Sequence, residues 1–118
     1  MTLLLDGSSL TIDDLARAAH DLTSQVALTD DARRRVQESR AAVDRWIAES
    51  RIVYGMTTGF GEFANVFIPL EDVEKLQENL IISHSAGMGE LLPAVVVRAM
   101  MILRINALAK GFSGIRES

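Results

Sequence analysis

Cysteine is absent from these 118 residues. That excludes disulfides, thiolate nucleophiles and Cys-ligated zinc, and it fits a reducing compartment. A basic excess is absent too: 12 Lys and Arg stand against 16 Asp and Glu, for a net charge of -4. Nucleic-acid binding needs clustered cations to neutralise phosphates. The densest basic run, Arg33-Arg34-Arg35, sits beside Asp30 and Asp31 and reads as a solvated helix face before it reads as a phosphate site. No nucleic-acid partner is expected. Long apolar runs are also missing. Met1 to Leu5 has no positive flank and ends at Asp6, and Val95 to Ile102 is broken by Arg98. Neither is a leader or a membrane span, so the expectation is a soluble, cytoplasmic protein. The two histidines, His20 and His84, belong to no carboxylate cluster with metal spacing, so no metal site is expected. Repeats, low-complexity tracts and linkers are lacking.

What is present is an ordinary globular composition, 48% hydrophobic and 24% charged, enough for one small domain with a modest core. Leu3 to Leu5 reads as a short strand closed by Asp6-Gly7-Ser8. Thr11 is a helix N-cap with Asp14 three residues on, an Asp variant of the capping box. Leu15, Ala18, Ala19 and Leu22 follow at helical spacing. Gln25 to Leu28 is extended. Thr29 caps a second helix, with Asp30 and Asp31 in its first turn, running to about Ser50. Its buried stripe is Ala32, Val36, Ser39, Val43, Trp46 and Ile47. Tyr54 to Ile68 is a glycine-rich loop. Pro69 stands at or near the start of a third helix reaching about Ser83. After the break Ser85-Ala86-Gly87-Met88-Gly89, Pro93 opens a last helix to Lys110, with Gly111 as its C-cap. The fold class is therefore mainly α, with one or two short strands.

The last helix carries apolar residues on nearly every face: Val95, Val96, Val97, Met100, Met101, Ile102, Leu103, Ile105 and Leu108. Arg98, Arg104 and Asn106 do not make one polar stripe. A helix apolar all round is buried all round, and the other helices are too few to surround it. Further protein, whether more of the same chain or partner subunits, is expected to cover it. The methionines read as core filler rather than ligands.

Two constellations carry candidate chemistry. Tyr54-Gly55-Met56-Thr57-Thr58-Gly59-Phe60-Gly61 looks like a phosphate cradle but lacks the Lys-Ser/Thr of a P-loop and does not match G-x-G-x-x-G. Its flexible backbone suits a loop folded tightly over a pocket, with Tyr54 fixed at its base. The structural alternative is a half-buried tyrosine bonded through its hydroxyl. In the second constellation Asn79 and Ser83 lie four apart on one face near a helix C-terminus. His84 ends that helix, where the carbonyl-rich terminus favours a protonated imidazole. The alternative there is a helix-capping histidine.

The Tyr54 to Gly61 block is similar to the tyrosine loop of the aromatic amino-acid ammonia-lyases and related aminomutases. Leu76-Gln77-x-Asn79-Leu80, Ser83-His84-Ser85-Ala86-Gly87-x-Gly89, Arg98-Ala99-Met100 and the run Arg104 to Gly114 follow in the family's order. The opening Leu5 to Thr11 resembles the histidine-specific branch. The resemblance covers essentially the whole chain. It implies the N-terminal helical segment of the ammonia-lyase (fumarase/aspartase-like) fold, and elimination of ammonia from an aromatic amino acid, L-histidine to urocanate before all. It further implies Tyr54 as the base that takes the β-proton, in an environment able to favour phenolate. The loop's backbone N–H groups are the candidate donors for that task. Substrate contacts are implied for Gly61, Asn79, Ser83 and His84. The Ser83-His84 pair resembles histidine ammonia-lyases and some tyrosine aminomutases rather than the His-Leu pair of bacterial tyrosine ammonia-lyases. Tyrosine or phenylalanine ammonia-lyase, or a 2,3-aminomutase, is the runner-up. The implied assembly is a homo-oligomer, a tetramer in the family, and the implied partner is a small-molecule amino acid.

One departure matters. The family's electrophile, methylideneimidazolone, forms from an Ala-Ser-Gly triplet, and this chain has none. Ser85-Ala86-Gly87 holds the same residue types in another order and in another block. Residues 1–118 are therefore expected to be a single partial domain, the N-terminal segment of a longer lyase, inactive alone. A non-catalytic helical oligomerisation module is the reading from a different class.

Overall fold

The computed structural model describes residues 2–66 and 68–117. Met1, Phe67 and Ser118 lie outside the described residues, and with them one position each of the apolar start and of the tyrosine loop. The order is β1 (Thr2–Leu5), α1 (Ile12–His20), β2 (Gln25–Leu28), α2 (Asp30–Ala48), a 3-10 turn (Gly61–Phe63), α3 (Leu70–His84) and α4 (Ala94–Leu108). The chain forms two compact units, one built from residues up to Ala41 together with those from Leu91 on, the other Ala42–Glu90.

In the first unit β1 and β2 pair in parallel, Leu3 opposite Val26 and Leu5 opposite Leu28. A parallel pair needs a crossover, and α1 supplies it. Alternation turns Leu3 and Leu5 inward, where they meet Ala18 of α1 and Ile102 of α4, with Leu10, Leu15, Val26 and Leu28 packed around them. Thr11 caps α1 as expected, its hydroxyl accepting from Asp14 N at 3.2 Å. The Asp14 carboxylate accepts from the Thr11 hydroxyl at 2.6 Å, and that hydroxyl first, then the Arg17 side chain, with the Thr11 backbone N–H as a smaller contribution, lower its pKa. Helix α1 stops at His20. Leu22 falls outside it and is exposed, because Asp21 gathers donors from Thr23 N, Thr23 Oγ1 and Ser24 Oγ. Those bonds, the Thr23 hydroxyl first, hold the Asp21 carboxyl down at about 2.

Long polar side chains fasten this unit. Arg98 of α4 donates through Nε to Ala18 O at 2.7 Å and through a terminal nitrogen to Ser24 O. It places a cation on carbonyls at the end of α1, where the helix dipole is negative. Asn106 accepts Gly7 N at 3.0 Å. Arg35 donates to Asp6 O at 2.7 Å and also reaches Ala109 O and Asp31. Arg33 and Arg34 make the expected surface pairs with Asp30 and Asp31. Arg35 departs from the solvated face and works inward.

Both long-range helix ends differ by about a turn's fraction from the sequence expectation. Helix α4 ends at Leu108, not Lys110: Lys110 N and Gly111 N bond three residues back, to Ala107 O and Leu108 O, tightening the last turn. Gly111 takes the left-handed conformation expected of a terminator, at φ +80. A β-carbon there would sit 2.8 Å from Arg35 Cβ and 2.9 Å from its backbone. Helix α2 ends at Ala48 rather than Ser50. Arg51 N reaches Trp46 O and Ser50 N reaches Ile47 O, the paired bonds of a Schellman turn. Its left-handed position is held by Ser50 at φ 50, the single positive-φ residue other than glycine among the described residues. Of the expected α2 stripe, Ala32, Val36 and Val43 are buried, while Ser39, Trp46 and Ile47 are half-buried.

Helix α4 shows the predicted imbalance. Ile102 is buried, yet Val96, Val97, Met100, Met101, Leu103 and Ile105 are exposed by 39% or more.

Two outcomes follow. Replacing Ser50 with glycine relieves a left-handed L-residue, so Ser50→Gly raises stability by about 1 kcal/mol; an unchanged or lowered denaturation midpoint would contradict this. The 118 residues alone self-associate, because each apolar side chain of α4 left in water forgoes a burial of roughly 1.5–3 kcal/mol. Sedimentation is the check, and a monomer persisting at high concentration would refute it.

Candidate functional site

The second unit holds every candidate site residue. After the Schellman turn the chain enters the tyrosine loop, which is tied down from within. Met56 N and Thr57 N both donate to Val53 O, at 3.1 and 3.0 Å. Val53 N donates to Thr57 Oγ1 at 2.9 Å, and that hydroxyl donates onward to Arg51 O at 2.6 Å. Gly55 N donates to Thr58 Oγ1 at 3.2 Å. Downstream, Gly59 N to Val66 O and Ile68 N to Thr57 O close the loop. The Arg51 guanidinium lies 5.8 Å from the Trp46 ring centroid, adding a cation–π contact at the loop's entry. Thr57 and Thr58 are completely buried.

Tyr54 is not at the base of a pocket. It is 63% exposed, and its ring stands edge-on to Phe60 at a centroid distance of 6.0 Å. Among the described residues its hydroxyl has no hydrogen-bond partner, so the half-buried, bonded tyrosine is overturned as well. The loop's amides are not turned toward the phenol either: those of Gly55, Met56, Thr57 and Gly59 are taken up in the loop's own bonds. The physical reason is economy of backbone pairing, since a tight loop satisfies its N–H groups locally wherever it is able to. Gly61 opens the 3-10 turn at φ +58, exposed, with nothing within 4 Å of where a β-carbon would stand. Gly59 is the crowded one. A β-carbon there would come within 2.6 Å of Phe63 Cβ, which explains a glycine at that position.

Helix α3 carries the second constellation. Pro69 is its N-cap residue and Ser85 its C-cap. Asn79, Ser83 and His84 are exposed. Asn79 borders a shallow hollow with Ile68, Pro69, Asp72, Lys75 and Leu76. Ser83 Oγ donates to Leu80 O at 2.9 Å and lies 3.0 Å from His84 Nδ1, which is itself 2.9 Å from Leu80 O. The capping reading of His84 is thus met in part: its Nδ1 serves a carbonyl of its own helix. His84 Nε2 makes no hydrogen bond among the described residues. Helix α3 touches the tyrosine loop through Gln77, whose Nε2 donates to Gly55 O at 3.4 Å. The structure therefore brings Ser83 and His84 together, and Tyr54 against Phe60 beside Gly61. Asn79, Ser83 and His84 make no hydrogen bond to the loop among the described residues. Among those residues no group of three or more His, Asp or Glu is placed to hold a metal ion, and no helix is long and apolar enough to cross a membrane.

Sequence reasoning passed over Gln77 and gave no role to Thr57 and Thr58. A signal existed for the threonines: two β-branched hydroxyl residues set between glycines are hydrogen-bonding residues where a flexible loop has to be held.

Comparison with known proteins places this geometry. The family model for aromatic amino acid lyases matches residues 10–118. A histidine ammonia-lyase of Caldanaerobacter subterraneus subsp. tengcongensis is 53% identical over 97% of this chain and 22% of its own length. Among solved structures, histidine ammonia-lyase from Trypanosoma cruzi superposes with a TM-score of 0.90 at 41% identity, over 99% of this chain and 23% of that one. A tyrosine aminomutase from Streptomyces globisporus gives 0.89 at 32% identity, over 98% and 22%. The chain thus spans about a fifth of the length of the curated relatives it matches. With the helical fold, the tied tyrosine loop and a match running almost from end to end, this chain belongs to the aromatic amino acid lyase family.

Proposed function

We propose that residues 1–118 are the base-bearing N-terminal segment of a longer cytoplasmic, homo-oligomeric ammonia-lyase, and that its substrate is L-histidine, released as urocanate and ammonia. One structural observation carries the reading: a phenol presented 63% exposed on a loop whose backbone is fixed by its own buried hydroxyls. A surface tyrosine with no reaction to serve does not need so much local order. The substrate assignment is supported by the higher identity to histidine ammonia-lyases, 53% and 41%, than to the tyrosine aminomutase at 32%.

In this reading Tyr54 Oη takes the proton from the substrate's β-carbon. Gly61 lets the substrate approach the backbone, since no side chain fills that space. His84 offers Nε2 as an acceptor, complementary to the N–H donor of an imidazole ring, with Ser83 holding the pair's geometry and Asn79 adding a polar contact from the same helix. In the family, methylideneimidazolone would supply an electrophile for the substrate's amine. These residues neither contain its Ala-Ser-Gly precursor nor wall off the open surface around Tyr54, so they do not by themselves fit the group, and none of the steps assigned here passes through it.

Tyr54→Phe keeps the ring and its contact with Phe60 but removes the hydroxyl. In the complete enzyme it lowers turnover by roughly 10²–10⁴-fold with folding preserved; near-normal turnover would refute the assignment. Ser83→His combined with His84→Leu shifts kcat/KM away from histidine and toward tyrosine. An unchanged ratio between the two substrates would remove this pair from the substrate contact and reopen the aminomutase reading.

A further inference from the structure

The two residues flanking Tyr54 are each held by one of two consecutive buried threonines. Val53, before it, donates its amide to Thr57 Oγ1 at 2.9 Å, and Gly55, after it, donates its amide to Thr58 Oγ1 at 3.2 Å. Both threonines are completely buried, while the tyrosine between the two anchored amides is 63% exposed. Each hydroxyl both accepts and donates. Thr57 Oγ1 passes its proton to Arg51 O at 2.6 Å, and Thr58 Oγ1 passes its own to Gly59 O at 3.0 Å. Thr57 is the more heavily committed: its amide also donates to Val53 O, and its carbonyl accepts Ile68 N. It thus pairs with Val53 in both directions and ties the loop back to the exit of α2.

This arrangement has a specific consequence. An exposed side chain has no packed surroundings to fix its direction, so its aim is set by the backbone beneath it. Here that backbone is fixed by two side-chain hydroxyls together with the turn bonds to Val53 O and the Gln77 contact to Gly55 O. We infer that Thr57 and Thr58 are positioning residues for Tyr54, anchoring the residue before it and the residue after it so that the phenol keeps one direction. The inference rests on Tyr54 being the base. A misplacement of about 1 Å at a reacting group costs up to about 100-fold in rate, so loss of one anchor is expected to register in kcat rather than in KM.

The experiment uses the complete enzyme and five variants: Thr57→Val, Thr57→Ser, Thr58→Val, Tyr54→Phe and the double variant Tyr54→Phe with Thr57→Val. Valine keeps the branched shape and removes both hydrogen bonds; serine keeps the hydroxyl. The expected result is a kcat roughly 10- to 100-fold lower for Thr57→Val, with KM changed by less than about threefold. Thr57→Ser recovers most of the loss. In the Tyr54→Phe background Thr57→Val adds nothing, because a residue that acts through the phenol has no effect once the hydroxyl is gone. If Thr57→Val does not accumulate as folded protein, Thr58→Val, which frees a single amide, is read by the same criteria. Wild-type kcat in the valine variant while Tyr54→Phe is inactive overturns this inference and leaves the base assignment standing. An undiminished further loss in the Tyr54→Phe background also overturns it, since the threonine would then be supporting the fold at large. Full turnover in Tyr54→Phe overturns the base assignment, and this inference with it.

Discussion

Each place where this chain stops being helical frees backbone groups that cannot be left unpaired away from water, and the structure meets that constraint with side chains. Thr57 returns to Arg51 O just beyond α2. Arg98 crosses from α4 to the carbonyls around the end of α1. Arg35 reaches Asp6 O and Ala109 O, and Asn106 takes the Gly7 amide. The apolar cluster at the centre of the first unit is small, Leu3, Leu5, Ala18 and Ile102 with four partly buried residues around them. Polar fastenings of this kind decide where its loops lie.

That division explains what was legible in the sequence. Local features were: the Thr11 and Thr29 caps, the proline starts of α3 and α4, the glycine after α4, and the apolar periodicity of α2 all follow from residues a few positions apart. The parallel pairing of β1 with β2 was not, because four-residue strands carry no mark of their partner. Nor were the roles of Arg98, Asn106 and Arg35, whose partners lie 29 to 99 residues away in the chain. Ser50 was illegible for another reason. The Schellman turn it occupies normally announces itself through glycine, and a serine there is silent.

The site was legible to a different depth. Its residue types and order identified the loop, and the loop is where it was placed. The picture of a tyrosine seated at the bottom of a pocket failed because glycine content predicts a flexible backbone, not the direction in which its neighbours point. The fixed element turned out to be Thr57-Thr58, buried beneath, and the tyrosine faces outward.

An outward-facing phenol also constrains the chemistry. A base that removes a carbon-bound proton has to hold its deprotonated form near the working pH, which for a phenol requires hydrogen-bond donors or positive charge close to the oxygen. Within the tyrosine loop the amides of Gly55, Met56, Thr57 and Gly59 are paired locally, and the ring's neighbour is Phe60, whose side chain offers no donor. On the proposed reading the electrophile comes from elsewhere in the assembled enzyme, since residues 1–118 hold no Ala-Ser-Gly triplet. The proposed reading also bears on α4, whose exposed Val, Met, Leu and Ile side chains further protein of comparable apolarity would cover. One feature is chemical and the other is hydrophobic, and on the proposed reading further protein meets both: it brings the electrophile to the exposed phenol, and it covers the surface that α4 leaves in water.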